Sequence, residues 1–125
     1  MKVLVVDDER DIKTLFEQRF RKEIRKGEIS FFFAFSGEEA LAYLNTFHHE
    51  AVLILSDINM PGMSGFELLK RIKRQFESPP AVIMITAYGD TKNYEEAMRL
   101  GADDFITKPL DFSILKDKLK SKANG

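Results

Sequence analysis

Cysteine is absent from this chain, which excludes a disulfide framework and any thiolate metal site and fits a reducing compartment. Long apolar runs are missing too. No stretch approaches the roughly 20 residues that a bilayer-spanning helix needs. The N-terminal run Val3–Val6 is too short for the core of a signal peptide, and Asp7-Asp8 follows it at once. Charge of one sign is also lacking: the formal net charge is -1, so nothing draws the chain toward nucleic acid or anionic membrane at long range. No repeat, low-complexity tract or linker interrupts it. What remains is 125 residues, 44% hydrophobic and 31% charged, the size and composition of one soluble globular domain over 1–125 with its own core. A cytoplasmic location is expected.

Short apolar runs alternate with longer amphipathic stretches. Val3–Val6, Ile29–Phe35, Val52–Leu55, Ala81–Ile85 and Phe105–Thr107 predict five strands. Three of these are almost unbroken aliphatics, as strands covered on both faces require. The intervening stretches predict five helices. Stripes at helical spacing run through Ile12/Leu15/Phe16/Phe20/Ile24, Phe66/Leu69/Ile72/Phe76, Tyr94/Ala97/Met98 and Phe112/Leu115/Leu119. Ser36-Gly37-Glu38-Glu39 and Ser64-Gly65-Phe66-Glu67 fit the capping box. Asp90 and Asp111 suit N-caps, and Gly27 and Gly101 suit left-handed helix stops. Strict β/α alternation implies a parallel sheet with right-handed crossovers and helices on both faces. Ligand sites in such sheets lie beyond the carboxyl ends of the strands.

Those ends carry the chemistry. The first strand ends in Asp7-Asp8, the third in Asp57, the fourth in Thr86 and the fifth in Lys108. Any one of these has an ordinary explanation: a turn aspartate, a β-branched strand residue, a solvated lysine. Together they place three carboxylates, a hydroxyl and an ammonium on one rim. Like charges ~4 Å apart cost about 4 kcal/mol at an effective dielectric of 20, so the cluster calls for protonation or a cation. Oxygen-only ligands favour a hard ion, and Mg²⁺ (or Mn²⁺) suits them. By mass action such an ion should stabilise the protein, and neutralising Asp7 should do the same.

Asp7-Asp8, the segment Asp57-Ile58-Asn59-Met60-Pro61-Gly62-Met63-Ser64-Gly65, Thr86-Ala87 and Lys108-Pro109 resemble the receiver domain of two-component response regulators, chemotaxis regulators among them. The likeness covers essentially the whole chain, with motifs in family order. It implies a flavodoxin-like, doubly wound (βα)5 sheet with strand order 2-1-3-4-5. It also implies that Asp57 accepts a phosphoryl group from a sensor histidine kinase, a histidine phosphotransfer protein or a small donor. On the same basis Asp8, Asp57 and the Asn59 backbone carbonyl bind the metal, and Asp7 acts through water. Lys108 and Thr86 then contact phosphoryl oxygens. Thr86 moves inward, and Phe105, otherwise a plain core aromatic, fills the vacated space. Phe lacks the hydroxyl that a Tyr would offer there. Lys108-Pro109 matches a cis peptide of the family, and X–Pro bonds adopt cis at a cost of only about 0.5–1 kcal/mol.

The resemblance implies a phosphorylated signalling switch that assists only its own phosphotransfer and autodephosphorylation, not an enzyme. The surface that responds is built from Tyr94–Leu100, Asp104–Thr107 and Phe112–Lys120, and contacts an output domain, a target protein or a second copy. Neither direct nucleic-acid binding nor a membrane is implied. Tyr88 lies where family members tune the lifetime of the aspartyl phosphate. His48-His49 read as solvated helix-end residues, and Arg21/Lys22/Arg25/Lys26 as the charged end of a helix. The aromatic run Ile29–Phe35 reads as an edge strand packing into the core, with self-association as its hazard. A flavodoxin-like cofactor binder would share the fold, but Asp7-Asp8-Glu9-Arg10 stands where a Gly/Ser/Thr phosphate cradle is needed. An Asp-nucleophile phosphatase of the haloacid-dehalogenase kind would need Asp-x-Asp, and Asn59 occupies the second position.

Overall fold

A computed structural model describes residues 1–47, 53–87 and 91–124. The apolar runs form five parallel strands: β1 (Lys2–Val6), β2 (Ser30–Ala34), β3 (Leu53–Asp57), β4 (Ala81–Thr86) and β5 (Asp104–Thr107). Their order in the sheet is β2-β1-β3-β4-β5, the flavodoxin-like arrangement expected. The helices are α1 (Asp11–Arg19), α2 (Arg21–Arg25), α3 (Gly37–Phe47), α4 (Gly65–Gln75), α5 (Thr91–Arg99) and α6 (Phe112–Asn124). None of the described helices is long and apolar enough to cross a membrane.

Side chains alternate across a strand with a period of two, and this chain divides its aliphatics by that rule. Val3, Val5, Leu53, Leu55, Ile83 and Ile85 enter one core, with Phe16, Phe20, Leu115 and Leu119 of the α1–α2 and α6 side. Leu4, Val6, Ile54, Val82 and Met84 enter the other, with Ala40 and Leu44 of α3, Leu68, Leu69 and Ile72 of α4, and Ala97 of α5. All five residues of β3 are buried, which is why its sequence shows no polar alternation. Truncating one of these buried leucines to alanine would cost about 2–5 kcal/mol.

The expected first helix is two helices. At Phe20 the backbone turns to φ -107°, ψ 21°, yet Phe20 N–H still donates to the Phe16 carbonyl and Ile24 N–H to that of Phe20, both at 2.9 Å. Phe16 and Phe20, one helical turn apart and so on one face, both enter the core, where Phe20 meets Phe31 and Phe112 edge-on. Beyond it α2 buries no residue, and Ile24, the end of the predicted stripe, is exposed. Arg21, Lys22, Arg25 and Lys26 are exposed as well. Another stripe is corrected in part: on α5 only Ala97 is buried, while Tyr94 and Met98 face outward. Nothing in a three-residue period says which face meets the sheet.

Punctuation behaves as the residue types dictate. Ser36 and Ser64 accept the backbone N–H of Glu39 and Glu67 at 3.0 and 3.2 Å. Glu67 does not complete the box; its carboxylate accepts from Arg71 Nε, one turn on. Asp111 caps Ser113 and Ile114, and Gly27 and Gly101 have φ of 73° and 97°. The edge strand β2 sends Phe31 and Phe33 to one core and Phe32 to the other. Val52, His48-His49, Tyr88 and the Asp90 cap lie outside the described residues.

Candidate functional site

Parallel strands bring their carboxyl ends to a single edge, and the charged residues collect there. Asp7 follows β1 and donates its N–H to the Ala34 carbonyl at 3.1 Å. Asp57 closes β3. Carboxylate oxygens of Asp7, Asp8 and Asp57 lie within 4.8 Å of one another; Asp7 and Asp57 are buried and Asp8 is exposed. Lys108, one residue past β5, is carried to the rim by its N–H bond to the Thr86 carbonyl at 2.7 Å. Its Nζ lies 3.0 Å from Asp57 Oδ2 and 3.8 Å from Asp7 Oδ2. The Lys108-Pro109 peptide is cis. The other Asp57 oxygen, Oδ1, accepts the Asn59 N–H at 3.3 Å.

Electrostatics follow from this packing. Burial raises the Asp7 pKa, and the neighbouring Asp57 charge raises it further; the Glu9 N–H, donating to Asp7 Oδ1 at 2.9 Å, and Lys108 offset only part of this. For Lys108 burial acts to lower the pKa, but the hydrogen bond to Asp57 and the charges of Asp57, Asp7 and Glu9 overcome it, and the net shift is upward.

An acid whose pKa is raised by folding weakens the fold once it ionises. Asp7 therefore adds no penalty below the unfolded carboxylate range near pH 4, and its full penalty appears once the pH has risen through its folded-state value. Asp7→Asn keeps an oxygen for the Glu9 N–H, which alanine would lose. Without divalent metal it is expected to be more stable than wild type by on the order of 1 kcal/mol at neutral pH. The gain should disappear in acid and shrink when Mg²⁺ is added. Melting curves at several pH values check this; a gain independent of pH would remove the charge explanation.

Not every predicted residue joins the cluster. Thr86 has the strand parity of Val82 and Met84 and so belongs to the α5 side of the sheet; Asp57 has the parity of Leu53 and Leu55, on the α1–α6 side. Thr86 is fully buried, and its Oγ1 accepts a hydrogen bond from Asn93 Nδ2 at 3.0 Å. Phe105, half-buried on the same side, meets the Tyr94 ring edge-on at 5.3 Å. Asn93 carried no sequence signal, since it lies seven residues from Thr86 on a different element. Gly65 was legible only as part of a motif. Its N–H donates to the Ile58 carbonyl at 2.8 Å, and a Cβ there would come 2.2 Å from the Asp57 backbone oxygen.

Residues 3–120 match the family described as the response regulator receiver domain. The chain belongs to that family. A probable transcriptional regulator, ycf27, of Guillardia theta is 35% identical to this receiver domain over 123 residues, covering 96% of this chain and 44% of that protein. The two-component response regulator PhoP of Pseudomonas aeruginosa is 32% identical over 121 residues, covering 97% and 51%. The receiver domain thus spans about half the length of these curated relatives. Among solved structures, the receiver domain of a Francisella response regulator, 1452, superposes with a TM-score of 0.83 at 32% identity, covering 97% of this chain and 94% of that one.

Proposed function

We propose that this receiver domain takes a phosphoryl group onto Asp57, from the phosphohistidine of a sensor kinase or phosphotransfer protein, and that loading changes the face formed by α5, β5 and α6. The observation that carries this reading is Lys108 Nζ 3.0 Å from a buried Asp57 oxygen, with Asp7 and Asp8 on the same rim. A carboxylate nucleophile brings no proton to remove, so the step needs positioning and charge neutralisation rather than a base. An Asp57 oxygen forms the new O–P bond as the donor's N–P bond breaks, and the electron pair leaves on the imidazole nitrogen. Lys108 turns from the carboxylate to a phosphoryl oxygen, a charge-assisted contact. Thr86 donates its hydroxyl to another, and Phe105 occupies the space it leaves.

Carboxylate oxygens without sulfur or imidazole fit Mg²⁺ or Mn²⁺. Asp8 and Asp57 would hold the ion with the Asn59 backbone carbonyl, and Asp7 would act through water. Once bound, it supplies positive charge against the phosphoryl oxygens.

The responding face suits a partner. Tyr94 and Met98 on α5 and Ile114 on α6 are large apolar side chains left exposed, and Lys118 ties α6 to β5 through Asp104 at 2.8 Å. An output domain, a separate target or a second copy could cover it. Incubation with acetyl phosphate and Mg²⁺ should add the mass of one phosphoryl group to wild type and none to Asp57→Asn. Equal labelling of the two proteins would overturn the assignment.

A further inference from the structure

We propose that Asn93 is a positioning residue that holds the Thr86 hydroxyl on the α5 side of the sheet, and so sets how readily Asp57 is loaded; this rests on the reading of Asp57 as the acceptor. A buried hydroxyl needs a partner, and a local one would suffice. Ser56 shows this, its Oγ donating to the carbonyl of Asp57, the next residue in the same strand, at 3.0 Å. Thr86 instead takes its partner from another element: Asn93, in the first turn of α5, donates Nδ2 to Oγ1 at 3.0 Å.

A threonine χ1 has few staggered wells. With Oγ1 engaged by α5, the hydroxyl is committed to the side of the sheet away from the Asp57 carboxylate, whose own partners are Lys108 and the Asn59 N–H. Reaching an oxygen on a phosphorylated Asp57 therefore requires leaving Asn93.

The second half of the argument is how lightly α5 is held. Ala97 is its one buried residue among those described, and Tyr94, although edge-on to Phe105, is exposed. The ion pair Arg99–Glu96 lies within the helix. Among the described contacts, the Asn93–Thr86 bond and the Tyr94–Phe105 ring contact join the first turn of α5 to the sheet. The hydrogen bond is also the contact that phosphoryl capture by Thr86 would break. One side chain has two mutually exclusive partners, and the helix position goes with one of them. Such an arrangement ties the loading equilibrium to the surface equilibrium by linkage.

A neutral hydrogen bond of ordinary net strength biases an equilibrium by about three- to tenfold. Asn93→Ala in the full chain should accordingly be loaded by acetyl phosphate and Mg²⁺ about three- to tenfold faster than wild type, still to one phosphoryl group per chain. Before any donor is added, its backbone NMR shifts along α5 and β5 should already move toward those of wild type with beryllofluoride and Mg²⁺. Alanine is the best helix former, so loss of folding is not expected. The control is Thr86→Val, alone and combined with Asn93→Ala: without the hydroxyl, replacing Asn93 should change the loading rate no further. An unchanged or slower rate for Asn93→Ala, while wild type loads normally, overturns the positioning role and leaves Asp57 as acceptor. An acceleration that persists in the Thr86→Val background also overturns it, because the effect would then not pass through Thr86. If wild type itself takes no phosphoryl group, the reading of Asp57 fails first and this one with it.

Discussion

Gly65→Ala is expected to lower the melting temperature by roughly 10 °C and to remove most phosphoryl uptake at Asp57. The added Cβ would lie 2.2 Å from the Asp57 backbone oxygen, 2.7 Å from Ile58 Cα and 3.0 Å from the Asp57 carbonyl carbon. These are backbone atoms of the buried end of β3, so no rotamer change relieves the overlap. Gly65 cannot slide away cheaply either. Its N–H is tied to the Ile58 carbonyl, Ser64 caps α4, and Leu68, Leu69 and Ile72 seat the helix in the core. Alanine's helix propensity returns at most about 1 kcal/mol, against an overpacking cost of about 3 kcal/mol or more. Where β3 yields, the peptide that carries the proposed acceptor carboxylate moves, and near-attack positioning is lost. A thermal melt and intact-mass labelling together check this. A variant as stable as wild type would show that α4 is not pressed against the Asp57 backbone.

Lys108→Met should slow phosphoryl uptake by about 100-fold, the usual effect of removing one charged or hydrogen-bonding group aimed at the reacting oxygens. Methionine keeps an unbranched apolar stem in place, so the change is mainly one of charge. The same substitution leaves Asp57 and Asp7 facing each other without the ammonium now at 3.0 and 3.8 Å. Metal-free protein should consequently be less stable than wild type at neutral pH. Because folding raises the Lys108 pKa, its contribution is fully present below the unfolded lysine range near 10.4 and fades as pH rises through the folded-state value. The stability difference between the two proteins should therefore hold through neutral pH and close only in strong alkali. A fall in uptake of less than tenfold would take Lys108 out of the reaction.

The sequence announced the parts of this structure that depend on composition within a few residues. Aliphatic runs marked β1, β3 and β4, serines marked the starts of α3 and α4, and the strand-end aspartates and lysine marked the rim. What it could not announce depends on direction. Phe20 fits the same helical stripe as Phe16, and no residue type around it marks the break between α1 and α2. Tyr94, Ala97 and Met98 have the spacing of a core stripe, yet the sheet accepts only the alanine. The strand order came from resemblance alone, since alternation of strands and helices is equally compatible with other orders. Lys73 and Asp103, thirty residues apart, meet at 3.0 Å with no sequence sign of it.

The two-residue alternation along β3 and β4 has a further consequence. It puts the carboxylates and the Thr86–Phe105 pair on opposite sides of a wall one peptide thick. Substitutions that reshape α5 can change that side of the wall without altering the charges around Asp57. Under the proposed function the docking face and the receiving chemistry can then be altered separately, with Thr86 the one residue that both would use.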